Sequence, residues 1–142
     1  MGKGNILLVD DEEIVLVGWR EELKSAGYTV RTASNPQKAI DMVREEKPDI
    51  VFTDLAMPKM DGVEVCRQIK AIYPDTEVVF VSGHPQEIEV HLMDFVNAGG
   101  RDEYLRKPLL ENELIEVTEK ICRELNRAGR VSDQSRNKPI DQ

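Results

Sequence analysis

The chain has 142 residues, 40% of them hydrophobic and 32% charged, with a formal net charge of −8. That is the length of one domain with enough apolar material for a single core. The acidic balance argues against direct binding to nucleic acid or to an anionic membrane surface, and no run approaches the roughly 18 apolar residues of a membrane span.

Taken in order, five strand-like runs alternate with five helix-like stretches. Met1-Gly2-Lys3-Gly4 carries no signal-peptide cleavage pattern, and Ile6 stands where a myristoylation motif needs Ser or Thr, so a cytoplasmic protein is expected. The first strand is Asn5-Ile6-Leu7-Leu8-Val9. Asp10, Asp11, Glu12 and Glu13 follow it and suit the positive end of a helix running from about Glu12 to Ala26, with Gly27 as its stop. Its early residues Ile14, Val15, Leu16, Val17 and Trp19 are more apolar than one buried face requires. Packing into the core is the preferred reading over docking of a partner.

Tyr28 to Ala33 alternates and reads as a strand towards a sheet edge. Ser34 or Asn35 can cap a second helix with Pro36 in its first turn and Ala39, Ile40 and Val43 on one side. Pro48 ends it. Ile50-Val51-Phe52 is a continuous β-branched and aromatic run that leads into Asp54 and is stopped by Met57-Pro58, the pattern of a strand buried on both faces. Val63, Cys66, Ile69 and Ile72 then recur at helical spacing up to Pro74. Glu77 to Ser82 is a fourth strand, broken by Gly83-His84-Pro85. Ile88, Leu92, Phe95 and Val96 line a fourth helix ended by Gly99-Gly100. A fifth strand, about Glu103 to Leu105, leads to Arg106-Lys107-Pro108, and Leu110, Leu114, Val117, Ile121 and Leu125 mark the last helix. Residues 128–142 are polar and read as a tail or linker. Cys66 and Cys122 are too few and too far apart for a disulfide framework or zinc site and read as small buried hydrophobes.

Strict β/α alternation with short connections implies a parallel sheet covered by helices on both faces. All strands of such a sheet end on one rim, where open α/β folds bind their ligands. That rim collects Asp10 and Asp11, Asp54, Ser82 and Lys107. Three carboxylates brought together repel unless a cation sits among them, and hard oxygen ligands favour Mg²⁺ or Mn²⁺. A carboxylate flanked by a divalent cation, an ammonium and a hydroxyl suits phosphoryl transfer. Singly, each residue reads as a capping acid, a turn hydroxyl or a solvated charge. Their joint arrival on one rim carries the functional reading.

Val9-Asp10-Asp11-Glu12, Thr53-Asp54-Leu55-Ala56-Met57-Pro58-Lys59-Met60-Asp61-Gly62, Val81-Ser82-Gly83 and Tyr104-Leu105-Arg106-Lys107-Pro108 resemble the signature blocks of two-component response-regulator receiver domains, the chemotaxis-regulator-like superfamily. The resemblance covers about residues 4 to 127, in the family's order. It implies a doubly wound, flavodoxin-like (βα)5 fold with strand order 2-1-3-4-5. It also implies that Asp54 is the phosphoacceptor for a sensor histidine kinase or histidine phosphotransfer protein. Asp11, Asp54 and the Ala56 carbonyl would hold Mg²⁺, with Asp10 partly through water. Lys107 would contact Asp54 and later the phosphoryl group, Ser82 would swing towards it and Tyr104 would turn inward. The Lys107-Pro108 peptide would be cis, and Gly83 would leave the site open. Output would be read from the fourth helix, fifth strand and fifth helix by a protein target or by an effector domain absent from this chain, with pairing to a second copy open.

Three features depart from the family's pattern, the apolar start of the first helix noted above being one. Ser82 and Lys107 lie 25 positions apart, which implies an extended fourth helix or extended flanking loops. Ala56 and His84 flank the site and could tune phosphoryl hydrolysis, with His84 read as a rim residue. His91 reads as a surface helix residue. Two alternatives compete: a degenerate receiver fold that only binds proteins, and an aspartyl-phosphate enzyme acting on small molecules. The second type usually has another Asp two residues after its nucleophile, where this chain has Ala56.

Overall fold

The computed structural model describes residues 3–129. In chain order these form β1 (Asn5–Val9), α1 (Glu13–Ser25), β2 (Thr29–Ala33), α2 (Pro36–Glu45), β3 (Ile50–Asp54), α3 (Gly62–Ile72), β4 (Glu77–Ser82), α4 (Pro85–Asn97), β5 (Leu105–Arg106) and α5 (Glu113–Ala128). The strands make one parallel sheet in the order β2-β1-β3-β4-β5. This is the doubly wound α/β fold expected from the alternation.

Burial explains the strand order. Every residue of β3 is buried, and so is all of β4 after Glu77, whereas β2 is mostly half-buried at the edge. Alternate side chains feed two cores. Leu7, Val9, Val51, Val78 and Phe80 pack with Ala39, Ile40, Val43, Cys66, Ile69 and Phe95 of α2, α3 and α4. Ile6, Leu8, Ile50, Phe52, Val79 and Val81 pack with Leu16, Leu23, Leu114, Ile121 and Leu125 of α1 and α5. Each fully buried aliphatic or aromatic side chain of this kind contributes about 1.5–3 kcal/mol by leaving water.

Local signals fix the helix ends. Asn35, of the two candidate caps, accepts from the Lys38 amide at 2.8 Å, and Asp61 caps α3 by accepting from the Glu64 amide at 3.0 Å. Gly27 and Gly99 both take φ of +102° just beyond α1 and α4, a conformation that costs a residue with a Cβ. The span between Ser82 and Lys107 is filled by the 13 residues of α4 and a loop tied down by Arg101. Its guanidinium pairs with Glu77 (3.1 Å), Glu103 (2.7 Å) and Glu124 (2.8 Å), linking the loop to the start of β4 and to α5.

Three expectations are corrected. β5 is shorter and later than Glu103 to Leu105. Leu110 does not lie on the last helix: Asn112 takes a left-handed conformation (φ 66°), α5 starts at Glu113, and Leu110 is left 76% exposed. On α1 only Leu16 and Leu23 are buried, while Ile14 is 84% and Val17 47% exposed, so the early apolar run does not all pack into the core. The expected tail over 128–142 lies outside the described residues apart from Ala128, which is helical, and Gly129, which caps α5 at φ 74°.

Both cysteines are buried, and burial first of all pushes the Cys66 thiol up to about 12 and the Cys122 thiol up to about 11. Folded-state values above the ordinary 9.0 mean that this contribution to stability is complete below pH 9 and is lost as pH rises through the folded values. Native protein at pH 8 should therefore react with a thiol reagent far more slowly than unfolded protein. Its melting temperature should fall from about pH 9 upward. Fast labelling of folded protein would contradict the buried placement.

Candidate functional site

Strand register builds the rim. The β1 ladder continues past Val9, as the Asp10 amide donates to the Ala33 carbonyl at 3.2 Å. The Leu55 amide reaches the Val81 carbonyl at 3.3 Å, and the Lys107 amide reaches the Ser82 carbonyl at 2.9 Å. Asp10, Asp54, Ser82 and Lys107 thus stand on adjacent strands at the same level. One close approach is needed to hold β3 there. The Gly62 amide donates to the Leu55 carbonyl at 2.8 Å, and a Cβ on Gly62 would lie 2.6 Å from the Asp54 carbonyl oxygen. Only glycine lets α3 begin directly against the end of β3.

Asp10, Asp11 and Asp54 each bring a carboxylate oxygen within 4.8 Å of the others. Asp10 is fully buried, Asp54 nearly so, and Asp11 exposed. Asp10 Oδ1 also accepts from the Glu12 amide at 2.9 Å, which orients it. Burial, followed by the charges of Asp10 and Asp11, pushes the Asp54 carboxyl up to about 6 against the pull of Lys107. A carboxylate held at the edge of ionising among two others is a site short of positive charge. Its all-oxygen donors fit Mg²⁺ or Mn²⁺, which take one or two carboxylates and keep their remaining positions for water or phosphate.

The resemblance implies a contact between Lys107 and Asp54. The ammonium does lie 3.7 Å from Asp54 Oδ1, but its hydrogen bond goes to Asp10 Oδ2 at 2.7 Å, with Glu12 Oε1 at 3.9 Å. Burial works against the ammonium, yet the hydrogen bond to Asp10 and the charge of Asp54 hold its pKa above the ordinary value. The Lys107-Pro108 peptide is cis, as the resemblance implies. Ser82 is buried and turned on its own loop, its Oγ donating to the His84 carbonyl (3.3 Å) and accepting from the His84 amide (3.1 Å). Ala56, Gly83, His84 and Pro108 are exposed around it. Tyr104 is half-exposed, its ring stacked on Phe80 at 5.2 Å with 4° between planes. Phe80 in turn meets Phe95 of α4 edge-on at 4.8 Å.

Sequence reasoning placed Glu12 at the helix start and in the first signature block, and Trp19 in an apolar run read as core ahead of partner docking; it gave neither a place beside Lys107. Both border Lys107, Trp19 with its ring centroid 5.9 Å from Nζ. No pattern in the sequence signals that neighbourhood, because it depends on how α1 leans towards the segment after β5.

Comparison with known proteins agrees with this geometry. The family model described as "Response regulator receiver domain" matches residues 6–119. The response regulator MprA of Mycolicibacterium vanbaalenii is 35% identical over 111 residues, covering 78% of this chain and 46% of MprA; MprA of Mycobacterium avium gives 35%, 78% and 47%. The chain spans about half the length of these curated relatives. Among solved structures, a response regulator receiver domain protein from Clostridium thermocellum superposes with a TM-score of 0.79 at 29% identity, covering 88% of this chain and 98% of that one. The BeF3-activated DrrB receiver domain gives 0.74 at 25%, covering 87% and 99%. No helix among the described residues is long and apolar enough to cross a membrane. The chain belongs to the response regulator receiver domain family of two-component systems.

Proposed function

We propose that Asp54 accepts a phosphoryl group from a phosphohistidine of a sensor kinase or phosphotransfer protein, and that this chain is a signalling switch whose chemistry is that transfer and its own slow dephosphorylation. The observation that supports this most is the grouping of Asp10, Asp11 and Asp54 within 4.8 Å, with one ammonium 3.7 Å from Asp54. In the transfer, an Asp54 Oδ–P bond forms as the histidine N–P bond breaks. The imidazole leaves with the bonding pair and takes a proton. Asp54 must be ionised to attack, and neutral pH lies on the ionised side of its raised value of about 6. Asp11, Asp54 and the Ala56 carbonyl would hold Mg²⁺, with Asp10 behind them. When bound, the ion neutralises charge that builds on the phosphoryl oxygens.

Lys107 supplies a second positive charge to those oxygens by moving a short way from Asp10. Ser82 can donate its hydroxyl once it releases the His84 carbonyl. Phosphorylation adds about 1.5 to 2 negative charges and three strong acceptors, enough to bias the loop after β4. Tyr104 lies on Phe80, and Phe80 on Phe95 of α4, so the rings tie the segment before β5 to β4 and α4, two residues along β4 from Ser82. Exposed Val90 and Met93 on α4 give that surface apolar anchors for a target or a second copy. Exposed Ile14 and Val17, on the helix that flanks Lys107, offer a seat for the phosphohistidine donor. The rest of a longer protein of the MprA kind would supply an effector.

Intact mass after incubation with Mg²⁺ and phosphoramidate or acetyl phosphate tests this. One added phosphoryl group is expected on the wild type and none on Asp54→Asn. A wild type that stays unmodified by either donor would return the chain to the reading of a binding-only fold. Steady turnover of a small phosphate ester would make it an enzyme.

A further inference from the structure

Among the described residues, three carboxylates and one aromatic ring approach the Lys107 ammonium. Asp10, Asp54 and Glu12 lie 2.7, 3.7 and 3.9 Å from its ammonium, and the face of Trp19, the only tryptophan of the chain, lies 5.9 Å away. On this side the ammonium borders an open cleft of about 570 Å³, walled by Glu12, Ile14, Trp19, Gly83, Pro108 and Leu109. A lysine stem is long and loses much rotamer freedom when fixed. The exposed carboxylate of Glu12, 63% accessible, and the water of the cleft both draw the ammonium outward, away from the position a phosphoryl group would take.

The indole opposes that pull. Its face attracts a cation without offering a localised acceptor, so the three N–H donors stay free to point at carboxylate or phosphoryl oxygens. Gly83 does not share the task, since even an added Cβ there would only reach Lys107 at 3.8 Å. We propose that Trp19 is a positioning residue for Lys107 in phosphoryl transfer to Asp54. It gives the ammonium a fourth attraction beside those of Asp10, Asp54 and Glu12, one that limits its swing without taking up an N–H donor. This rests on the reading of Asp54 as phosphoacceptor. The competing account is that Trp19 only packs against the second core, which its half-buried position also allows.

The two accounts separate in full-length protein. The rate of adduct formation with phosphoramidate and Mg²⁺ should fall about two- to fivefold in Trp19→Leu, the range expected of one partly exposed cation–π contact. It should recover most of that loss in Trp19→Phe, which keeps an aromatic face. Rates are compared at a temperature where circular dichroism shows all variants fully folded. The second readout is tryptophan emission in metal-free buffer, which should differ between wild type and Lys107→Met because the cation over the ring is gone. Adding Mg²⁺ and beryllium fluoride should move the wild-type emission further, and the Lys107→Met emission no more than Mg²⁺ alone does. A folded Trp19→Leu that reacts at the wild-type rate would overturn the positioning role while leaving Asp54 as phosphoacceptor. Equal rates for Trp19→Leu and Trp19→Phe below wild type, with Lys107→Met emission unchanged, would leave only packing. If the wild type forms no adduct, both readings fall together.

Discussion

Asp54→Asn should melt at a higher temperature than wild type in chelator-treated buffer at pH 7. The reason lies in what the folded site does to the carboxylate. Burial first, then Asp10 and Asp11, raise the folded value to about 6 from an ordinary 3.8. A group whose folded pKa is raised contributes stability that is complete below the unfolded value and lost as pH rises through the folded one. The contribution of Asp54 is therefore lost between about pH 4 and 6, and at pH 7 the site carries the full cost of that charge. Asparagine keeps the shape and removes the charge. The raised value is already net of the attraction of Lys107 at 3.7 Å, so the gain is about 1–3 kcal/mol, or several degrees. Mg²⁺ should reverse the advantage. Wild type gains about 2.7 kcal/mol at a hundredfold excess over its dissociation constant, and the variant, short of one ligand, gains less. Calorimetry with and without Mg²⁺ checks both signs. A variant less stable than wild type in chelator would mean that the three carboxylates do not strain the folded state.

The same arithmetic explains why the rim was legible in the sequence and its wiring was not. Strand ends are written locally: a buried apolar run must stop where Asp54 or Ser82 begins, and parallel pairing brings all such stops to one edge. Asp10, Asp11, Asp54, Ser82 and Lys107 could be gathered from that alone. Which carboxylate takes the lysine's hydrogen bond depends on differences of about 1 Å between oxygens, and no spacing in the chain encodes it. The α1 surface was misread for a related reason. Ile14, Val15, Leu16 and Val17 are equally apolar as letters, but a helix on a sheet buries one stripe. Leu16 and Leu23 fall on it, whereas Ile14 and Val17 face outward, Ile14 beside the cleft that leads to Lys107 and Val17 on the side of Glu13, Arg20 and Lys38. Exposed apolar residues cost solubility, and core packing does not account for these two. Leu110 is exposed for a simpler cause, because the left-handed Asn112 delays α5 by one turn.

Lys107→Met should behave as the mirror image of Asp54→Asn. Asp10 is fully buried, and the ammonium 2.7 Å away is its charge partner; the Glu12 amide supplies its other hydrogen bond. Methionine fills the stem's volume and removes the charge, leaving three carboxylates within 4.8 Å with no lysine among them. Breaking a buried pair by deleting one partner costs about 3–5 kcal/mol, because the remaining charge is stranded. With Lys107 19% exposed, about 2–4 kcal/mol is the expected loss in chelator. Among the described residues the lost ammonium was the one cation paired with these oxygens, where it competes with a metal. Mg²⁺ should therefore bind Lys107→Met more tightly than wild type and raise its melting temperature by more. The two variants then bracket the wild type: Asp54→Asn most stable and least responsive to Mg²⁺, Lys107→Met least stable and most responsive. Melting curves across a Mg²⁺ titration read that order directly. If Lys107→Met matched wild type in chelator, the ion pair with Asp10 would not be what balances the site. If it responded less to Mg²⁺ than wild type, the lysine would be helping to hold the metal instead of standing in for it.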